Sequence, residues 1–392
     1  MSENNLKIPA NKDDITVQWV KDVTGHSVLR KDFTVQGDVQ EGSGFLSSIC
    51  RVSYSTNDGK RHSIIIKLLP TNEQWLEFAL ADASDEREIK FYSEILPDLI
   101  EVVPEFAENI CVFYNGVVQQ ADPDKRKAKA SMIIMDDLAS HGYQMMNFSG
   151  SDSDKVIEDL ITFMARLHYG AFAVEKKKGI PLPGLYPFMQ GITDDKEWMN
   201  QMETLGDDGY KALEEILLTY KIVNVWEHFE KVKPFTNAIV KLITENGRKH
   251  PCLVHADIWP NNIQVHPSLP TIILDWQLLG YRDVCYDLST MLYTVLTAEA
   301  LTKDNLAKWL KKYYDEFNKF CEEGGLNDKI WREWEEFKEF FFTWGSAYAY
   351  LVFLVSIYCY QKDLGKYANV FRVLCEEVEL PHFLLKICSA ND

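Results

Sequence analysis

The stretch HADIWPNNIQVHPSLPTIILD, residues 255–275, spaces its polar side chains as phosphoryl transfer requires. His255, Asp257 and Asn262 form H-x-D-x-x-x-x-N, and the apolar run Thr271 to Leu274 reads as a short strand that delivers Asp275 at its end. A carboxylate on a loop, an amide five residues on and a second carboxylate after a strand together orient a hydroxyl and hold Mg2+ against ATP. In that scheme Asp257 accepts the proton of the acceptor hydroxyl, Asn262 and Asp275 ligate Mg2+, and His255 braces the loop. A hydrolase metal site of His255, Asp257 and His266 is the weaker alternative, because no H-E-x-x-H and no third histidine at ligand spacing accompanies them.

Phosphoryl transfer also needs a lysine and a phosphate cradle, and both have candidates upstream. The run HSIIIKLLP reads as a strand that places Lys67 inside a sheet, where burial of an ammonium is costly without an anion beside it. The next segment, SDEREIKFYSEIL, reads as a helix with Ser84 as its N-cap candidate. At 100° per residue its apolar face holds Ile89, Tyr92, Ile95 and Leu96; Glu88 falls within that face, whereas Glu86 and Glu94 fall outside it. Lys67 paired with Glu88 would position the α- and β-phosphates; an exposed strand lysine is the plain alternative. GDVQEGSGFLSSICRV supplies Gly42, Gly44 and Ser47 as a cradle, although glycines between strands also make an ordinary hairpin. The absence of G-x-x-x-x-G-K-[ST] disfavours a P-loop fold.

The first third of the chain alternates short β-rich runs with turn signals, and the remainder follows long helical periodicities. This predicts an α+β protein, with a small sheet-bearing N-terminal lobe over 1–135 and a large, mostly helical C-terminal lobe over 136–392. Expected strands are Phe33 to Val39, Ser48 to Tyr54, Ser63 to Leu69, Cys111 to Val118 and Ser131 to Met135, with Asn57-Asp58-Gly59 as a hairpin turn and DDLASHG as the connector between lobes. Phe340 to Tyr360 is uncharged over a bilayer's width, yet Ser346, Tyr348 and Tyr350 in its middle make it a buried core helix, and one that could wall a substrate pocket. Asp287, in YDLST, is expected to be structural, either as an early helix residue or as a brace under the catalytic loop.

Composition narrows the partners. The 392 residues are 46% hydrophobic, enough for a globular core, and the net charge of -18, from 41 basic against 59 acidic residues, disfavours nucleic acid and anionic membranes. It mildly favours a neutral or cationic acceptor. The eight cysteines are scattered without a C-x-x-C pair and the first residues lack an apolar signal core, so a reducing, cytoplasmic location is expected.

Ala256 follows the loop histidine and Gln277 stands two places after Asp275, where protein kinases carry Arg and Gly. Only the eleven residues Trp276 to Tyr286 separate Asp275 from Asp287, too few to dock a polypeptide, so the acceptor is expected to be a small molecule. LVHADIWPNNI, IILDWQLLGYRDVCYDLSTMLYT, EREIKFYSEILP and MIIMDDLASHGY resemble the ecdysteroid kinase-like, or CHK kinase-like, family of the aminoglycoside phosphotransferase and choline kinase superfamily. The resemblance implies a bilobal protein-kinase-like fold and ATP-dependent phosphorylation of a small-molecule hydroxyl, with ecdysteroids as substrates of some members. It carries the base onto Asp257, the magnesium ligands onto Asn262 and Asp275, the phosphate pair onto Lys67 and Glu88, and adenine contact onto the Asp136 to Leu138 backbone. Members commonly have Gly at the position of Ala256 and Glu at that of Asp136. A choline- or aminoglycoside-type kinase and a non-catalytic ligand-binding module are the alternatives.

Overall fold

The computed structural model describes residues 7–37, 47–70, 83–122, 127–189, 196–246, 249–329, 331–357 and 363–390, with Asn72, Leu76 and Ala79. Gly42, Gly44 and the last residues of the expected helix, Tyr358 to Tyr360, lie outside them.

The N-terminal part is built on an antiparallel sheet of β1 (Thr34–Gln36), β2 (Ser48–Ser55), β3 (Arg61–Leu68), β4 (Phe113–Asp122) and β5 (Lys127–Asp136), ordered β1-β2-β3-β5-β4. The hairpin turn at Asn57 to Gly59 joins β2 to β3, with Gly59 at φ 82°, a conformation that costs glycine nothing. Alternation sorts the side chains. Cys50, Val52, Tyr54, Ile64, Ile66, Leu68, Met132 and Ile134 pack under Trp19, Val20 and Val28, on and beside the helix Val17–Thr24, as a small separate core. Ile49, Arg51, Ser63, Ile65 and Lys67 therefore face the other way, and Ile65, Ile133 and Met135 join the main core.

The helix Ser84–Lys90 runs through a π turn, Phe91–Ile95, into Leu96–Val102. Ser84 is its first residue and not its cap: Ala83 occupies the N-cap at φ 48°, and the Ser84 hydroxyl donates to the Ala79 carbonyl. The wheel is otherwise obeyed, since Glu88, Tyr92 and Ile95 are buried while Glu94 is exposed and Glu86 pairs with Lys90.

The helical part centres on Asp154–Lys178, against which Lys303–Glu323 packs, and on Ser346–Ser356, which lies between Lys196–Thr219 and Val284–Val295. Gly209 permits the closest approach, for a Cβ there would sit 1.9 Å from the Leu354 carbonyl oxygen. The expected core helix around Phe340 to Tyr360 is buried, and its hydroxyls are satisfied internally: Tyr350 bonds Tyr210, Tyr348 donates to the Ile243 carbonyl (3.3 Å) and Ser346 meets the Tyr293 hydroxyl (3.0 Å). No helix of the described residues is long and apolar enough to cross a membrane. Two small ribbons interrupt the helices, β7 (Pro251–Val254) with β10 (Gly280–Asp283), and β6 (Gln144–Met145), β8 (Ile263–Val265) and β9 (Ile272–Ile273). They carry the 255–275 loop.

Candidate active site

His255 follows β7, and Ala256 after it turns the chain in the left-handed conformation at φ 66°. The wholly buried Asp287 carboxylate holds this turn from below, accepting the His255 N–H with one oxygen and the Ala256 N–H with the other, each at 2.7 Å. Both structural roles expected for Asp287 are realised, since it lies in the first turn of Val284–Val295 and braces the loop; the N-cap of that helix is Asp283, whose carboxylate accepts the Cys285 N–H at 2.9 Å. Both ring nitrogens of His255 are spent on the backbone: Nδ1 accepts the Asp257 N–H (3.2 Å), and Nε2 donates to the Leu274 carbonyl (3.0 Å). Burial lowers its pKa, so the ring braces the loop as a neutral group.

Ala256, where members of the family commonly have Gly, takes a left-handed conformation that glycine adopts at no steric cost. A left-handed L-residue costs roughly 1–2 kcal/mol, partly offset by the extra chain entropy that glycine would lose on folding. Ala256→Gly is expected to raise unfolding stability by about 0.5–1 kcal/mol. A higher urea midpoint at unchanged slope would show it; an unchanged or lower midpoint would mean the turn is relaxed.

Asn262 ends a 3-10 turn, and its Nδ2 donates to the Asp257 carbonyl (2.9 Å) and to Asp257 Oδ2 (2.8 Å). This fixes the carboxylate and leaves the amide oxygen of Asn262 as an acceptor. The strand expected over Thr271 to Leu274 is shorter, Ile272–Ile273, and Leu274 closes the loop by donating to the Asn262 carbonyl at 2.9 Å. Asp275 then adopts φ 70°, which its short polar side chain tolerates better than most.

Lys67 meets both halves of the site. Its ammonium lies 2.6 Å from Glu88 Oε2 and 2.6 Å from Asp275 Oδ1. Burial alone would lower the Lys67 pKa, but Asp275 and Glu88 outweigh it and raise the value, so the ammonium persists. Burial pushes the Glu88 carboxyl up to about 7, since Lys67 offsets that cost only in part and Asp275 adds to it. Asp257 is likewise raised to about 7 by burial and by the neighbouring Asp275 charge. One ammonium, bonded to two of the three carboxylates, leaves the site short of positive charge.

That deficit, with the Asp275 carboxylate and the Asn262 amide oxygen, suits a hard cation held by one or two carboxylates and completed by water and phosphate oxygens. No group of three or more His, Cys, Asp or Glu at metal-holding distances exists among the described residues, so an all-protein cage of the hydrolase kind is not formed there. His266 is engaged elsewhere, its Nδ1 accepting the Ser268 and Leu269 N–H groups of its own turn at 3.1 and 3.0 Å.

The helix bearing Glu88 is latched to the loop bearing Asp275. Phe91 stacks on Trp276 at 3.7 Å between ring centres and 7° between planes, and the buried Arg87 donates to the Gln277 carbonyl at 3.0 Å. Sequence reasoning missed Arg87, Phe91 and Trp276 as site-forming; the available signal was that Arg87 and Phe91 lie in EREIKFYSEILP and Trp276 in LDWQ, two segments that carried the family resemblance.

The remaining expected residues are distributed around this centre. Ser47, half-buried, enters β2 from the segment that holds Gly42 and Gly44. In the connector, the Asp136 N–H donates to the Val112 carbonyl (2.9 Å), the Asp136 carbonyl accepts the Cys111 thiol (3.5 Å) and the Asp137 N–H donates to the Ser63 carbonyl (3.3 Å). The Asp136 side chain meets His141 Nε2 at 2.8 Å. Leu138 begins a 3-10 turn, Leu138–His141.

A five-stranded sheet carrying Lys67, set against a helical body carrying the catalytic-type loop, makes this a kinase-like fold. The profile of the ecdysteroid kinase-like family matches residues 41–325, and the chain belongs to that family. No curated protein sequence matches it significantly. Among solved structures it is similar to spectinomycin phosphotransferase in complex with ADP and spectinomycin, at 13% identity over 95% of this chain and 99% of that one, with a TM-score of 0.45. It is also similar to a choline kinase from Streptococcus pneumoniae (11% identity, 92% and 98% covered, TM-score 0.41) and to a Plasmodium vivax ethanolamine kinase (11%, 94% and 89%, 0.41).

Proposed function

We propose that this protein is an ATP- and Mg2+-dependent kinase that transfers the γ-phosphate to a hydroxyl of a small lipophilic substrate, an ecdysteroid being the leading case. The observation that carries the reading is the Lys67 ammonium, 2.6 Å from both Glu88 and Asp275, within one site with Asp257 and Asn262. In this reading the lobe over 1–135 binds the nucleotide phosphates through Lys67, Ser47 and the glycines Gly42 and Gly44. The lobe over 136–392 holds the acceptor, and Leu138 in the connector contacts adenine. Asp257 accepts the hydroxyl proton, while Asn262 holds that carboxylate in place through its Nδ2. Asp275 and Asn262 would hold Mg2+, which when bound neutralises phosphate charge. His255 and Asp287 keep the loop in shape. Cys111, Cys252, Cys285, Cys321 and Cys375 are buried and outside any disulfide, which accords with a reducing, cytoplasmic setting.

The acidity of the chain, -18 overall, favours a second reading in which the acceptor is cationic, as choline and aminoglycosides are. One panel separates the readings: the protein with Mg·ATP and 20-hydroxyecdysone, choline or kanamycin, followed by mass spectrometry for an added phosphate. Phosphorylated ecdysteroid supports the first and phosphocholine or phosphokanamycin the second. No thermal shift with Mg·ATP would overturn both in favour of a non-catalytic binding module.

A further inference from the structure

Arg51 lies on the sheet face that carries Lys67, two residues along β2 from Ile49, the register partner of Lys67, and opposite Ile65. At about 3.3 Å per residue this sets Arg51 roughly 7 Å from the Lys67 level. Its guanidinium grips Asp137, the first residue after β5, with Nε at 2.7 Å from Oδ2 and Nη2 at 3.2 Å from Oδ1, and Ser63 Oγ donates to Oδ2 at 2.7 Å. The Asp137 side chain is only 5% exposed, so its charge leans on Arg51 rather than on water. Asp137 thus belongs to the sheet. Leu138, next in sequence, belongs to the helical body: its side chain is buried in the main core and its carbonyl accepts the Tyr143 N–H at 3.2 Å. The boundary between the two frames falls at the Asp137–Leu138 peptide. The Asp136 and Asp137 N–H groups are already bonded inside the protein, and among the described residues no backbone carbonyl accepts the Leu138 N–H.

We infer that Arg51 and Asp137 are positioning residues for the nucleotide, a bidentate clamp that fixes the connector against the sheet so that the Leu138 backbone is presented to the edge of the base. The inference rests on the kinase reading above. Two parallel N–H···O bonds fix direction as well as distance, which a single lysine contact would not do. The clamp touches neither the transferring phosphate nor Asp257, so it acts on nucleotide binding and not on the chemical step.

The test is calorimetric titration of Mg·ADP into the wild type, Arg51→Met, Asp137→Asn, the double variant and Arg51→Lys, with urea midpoints measured alongside. The expected result is an affinity loss of about tenfold in each truncation, with the double variant no worse than the single ones, since the residues act as a pair. In turnover assays the KM for ATP rises by a similar factor while kcat changes little. Lowered urea midpoints with unchanged Mg·ADP affinity in the folded variants would overturn the inference, because a clamp that only holds the lobe together gives that pattern. Arg51→Lys keeps the charge and loses the fork, so it serves if Asp137→Asn does not fold; wild-type affinity in this variant also overturns the inference. Failure of the wild type to bind Mg·ADP is a different result, which removes the kinase reading itself.

Discussion

Asp257→Asn is expected to lower kcat by about 10²- to 10⁴-fold, the range that a positioned general base supplies, and to leave Mg·ATP affinity within a few fold of wild type. The substitution is isosteric, and an asparagine oxygen still accepts from Asn262 Nδ2, now 2.8 Å from Oδ2. What disappears is the carboxylate that the proposed mechanism uses to take the hydroxyl proton. The phosphate side is untouched, because Lys67 binds Glu88 and Asp275 and not Asp257. Stability should not fall. Burial and the Asp275 charge raise the Asp257 pKa, so the fold disfavours the ionised form relative to the unfolded chain and a neutral isostere relieves that strain. Single-turnover measurement with saturating Mg·ATP separates the chemical step from binding. Turnover within tenfold of wild type would remove Asp257 as the base, and joint loss of nucleotide binding and stability would recast it as structural.

The parts of the site that the sequence disclosed are those set by local periodicity. The β-branched run Ile64-Ile65-Ile66 put Lys67 in a strand, and a period of 3.6 put Glu88 on the buried side of the next helix and Glu86 and Glu94 off it. Which face of the sheet Lys67 would take was not local information. It depends on the cover that Trp19, Val20 and Val28 place over the opposite face, which leaves Lys67 looking toward Glu88. The contact of Phe91 with Trp276 was not readable for the same reason, although both segments carried the family resemblance, since it joins residues far apart in the chain through shape. Backbone conformation misled twice. Ser84 has the composition of an N-cap, yet Ala83 takes that position, and alanine is not a residue of left-handed turns, yet Ala256 sits at φ 66°. Neither angle leaves a trace in hydrophobic pattern. The long apolar stretch from Phe340 was decided correctly by its hydroxyls, because a lipid-facing helix has no partner for Tyr350, whereas a core helix finds one in Tyr210.

Asp287→Asn is expected to be the most damaging change that touches no substrate. The carboxylate gives one oxygen to the His255 N–H and the other to the Ala256 N–H, both at 2.7 Å, in a position from which water is excluded. Asparagine has the same shape but only one acceptor, so its amide N–H₂ must face a backbone N–H. One buried donor is then left without a partner, at a cost of about 2–4 kcal/mol once the lost charge-assisted bond is included. His168 cannot take over. Its Nε2 lies 3.9 Å from Asp287 Oδ2, its Nδ1 is bonded to the Tyr313 hydroxyl at 2.8 Å, and burial lowers its pKa, which keeps the ring neutral. The turn at Ala256 is already in a conformation that an L-residue resists, so the loop will relax away from it once a hydrogen bond is removed. Because Asp257 follows directly, a displacement of about 1 Å is enough to lower kcat roughly a hundredfold. Mg·ADP affinity should hold, as Lys67 and Glu88 lie on other elements. The signature is therefore a lowered urea midpoint together with a kcat loss at constant nucleotide affinity. A variant that loses stability but keeps wild-type kcat per folded molecule would show that the His255 ring, bonded to the Leu274 carbonyl, holds the loop without help. Asp287→Glu tests the geometry separately: it restores both oxygens and the charge but displaces them by one methylene, and recovery of stability without recovery of kcat would show that the position of the carboxylate sets the position of Asp257.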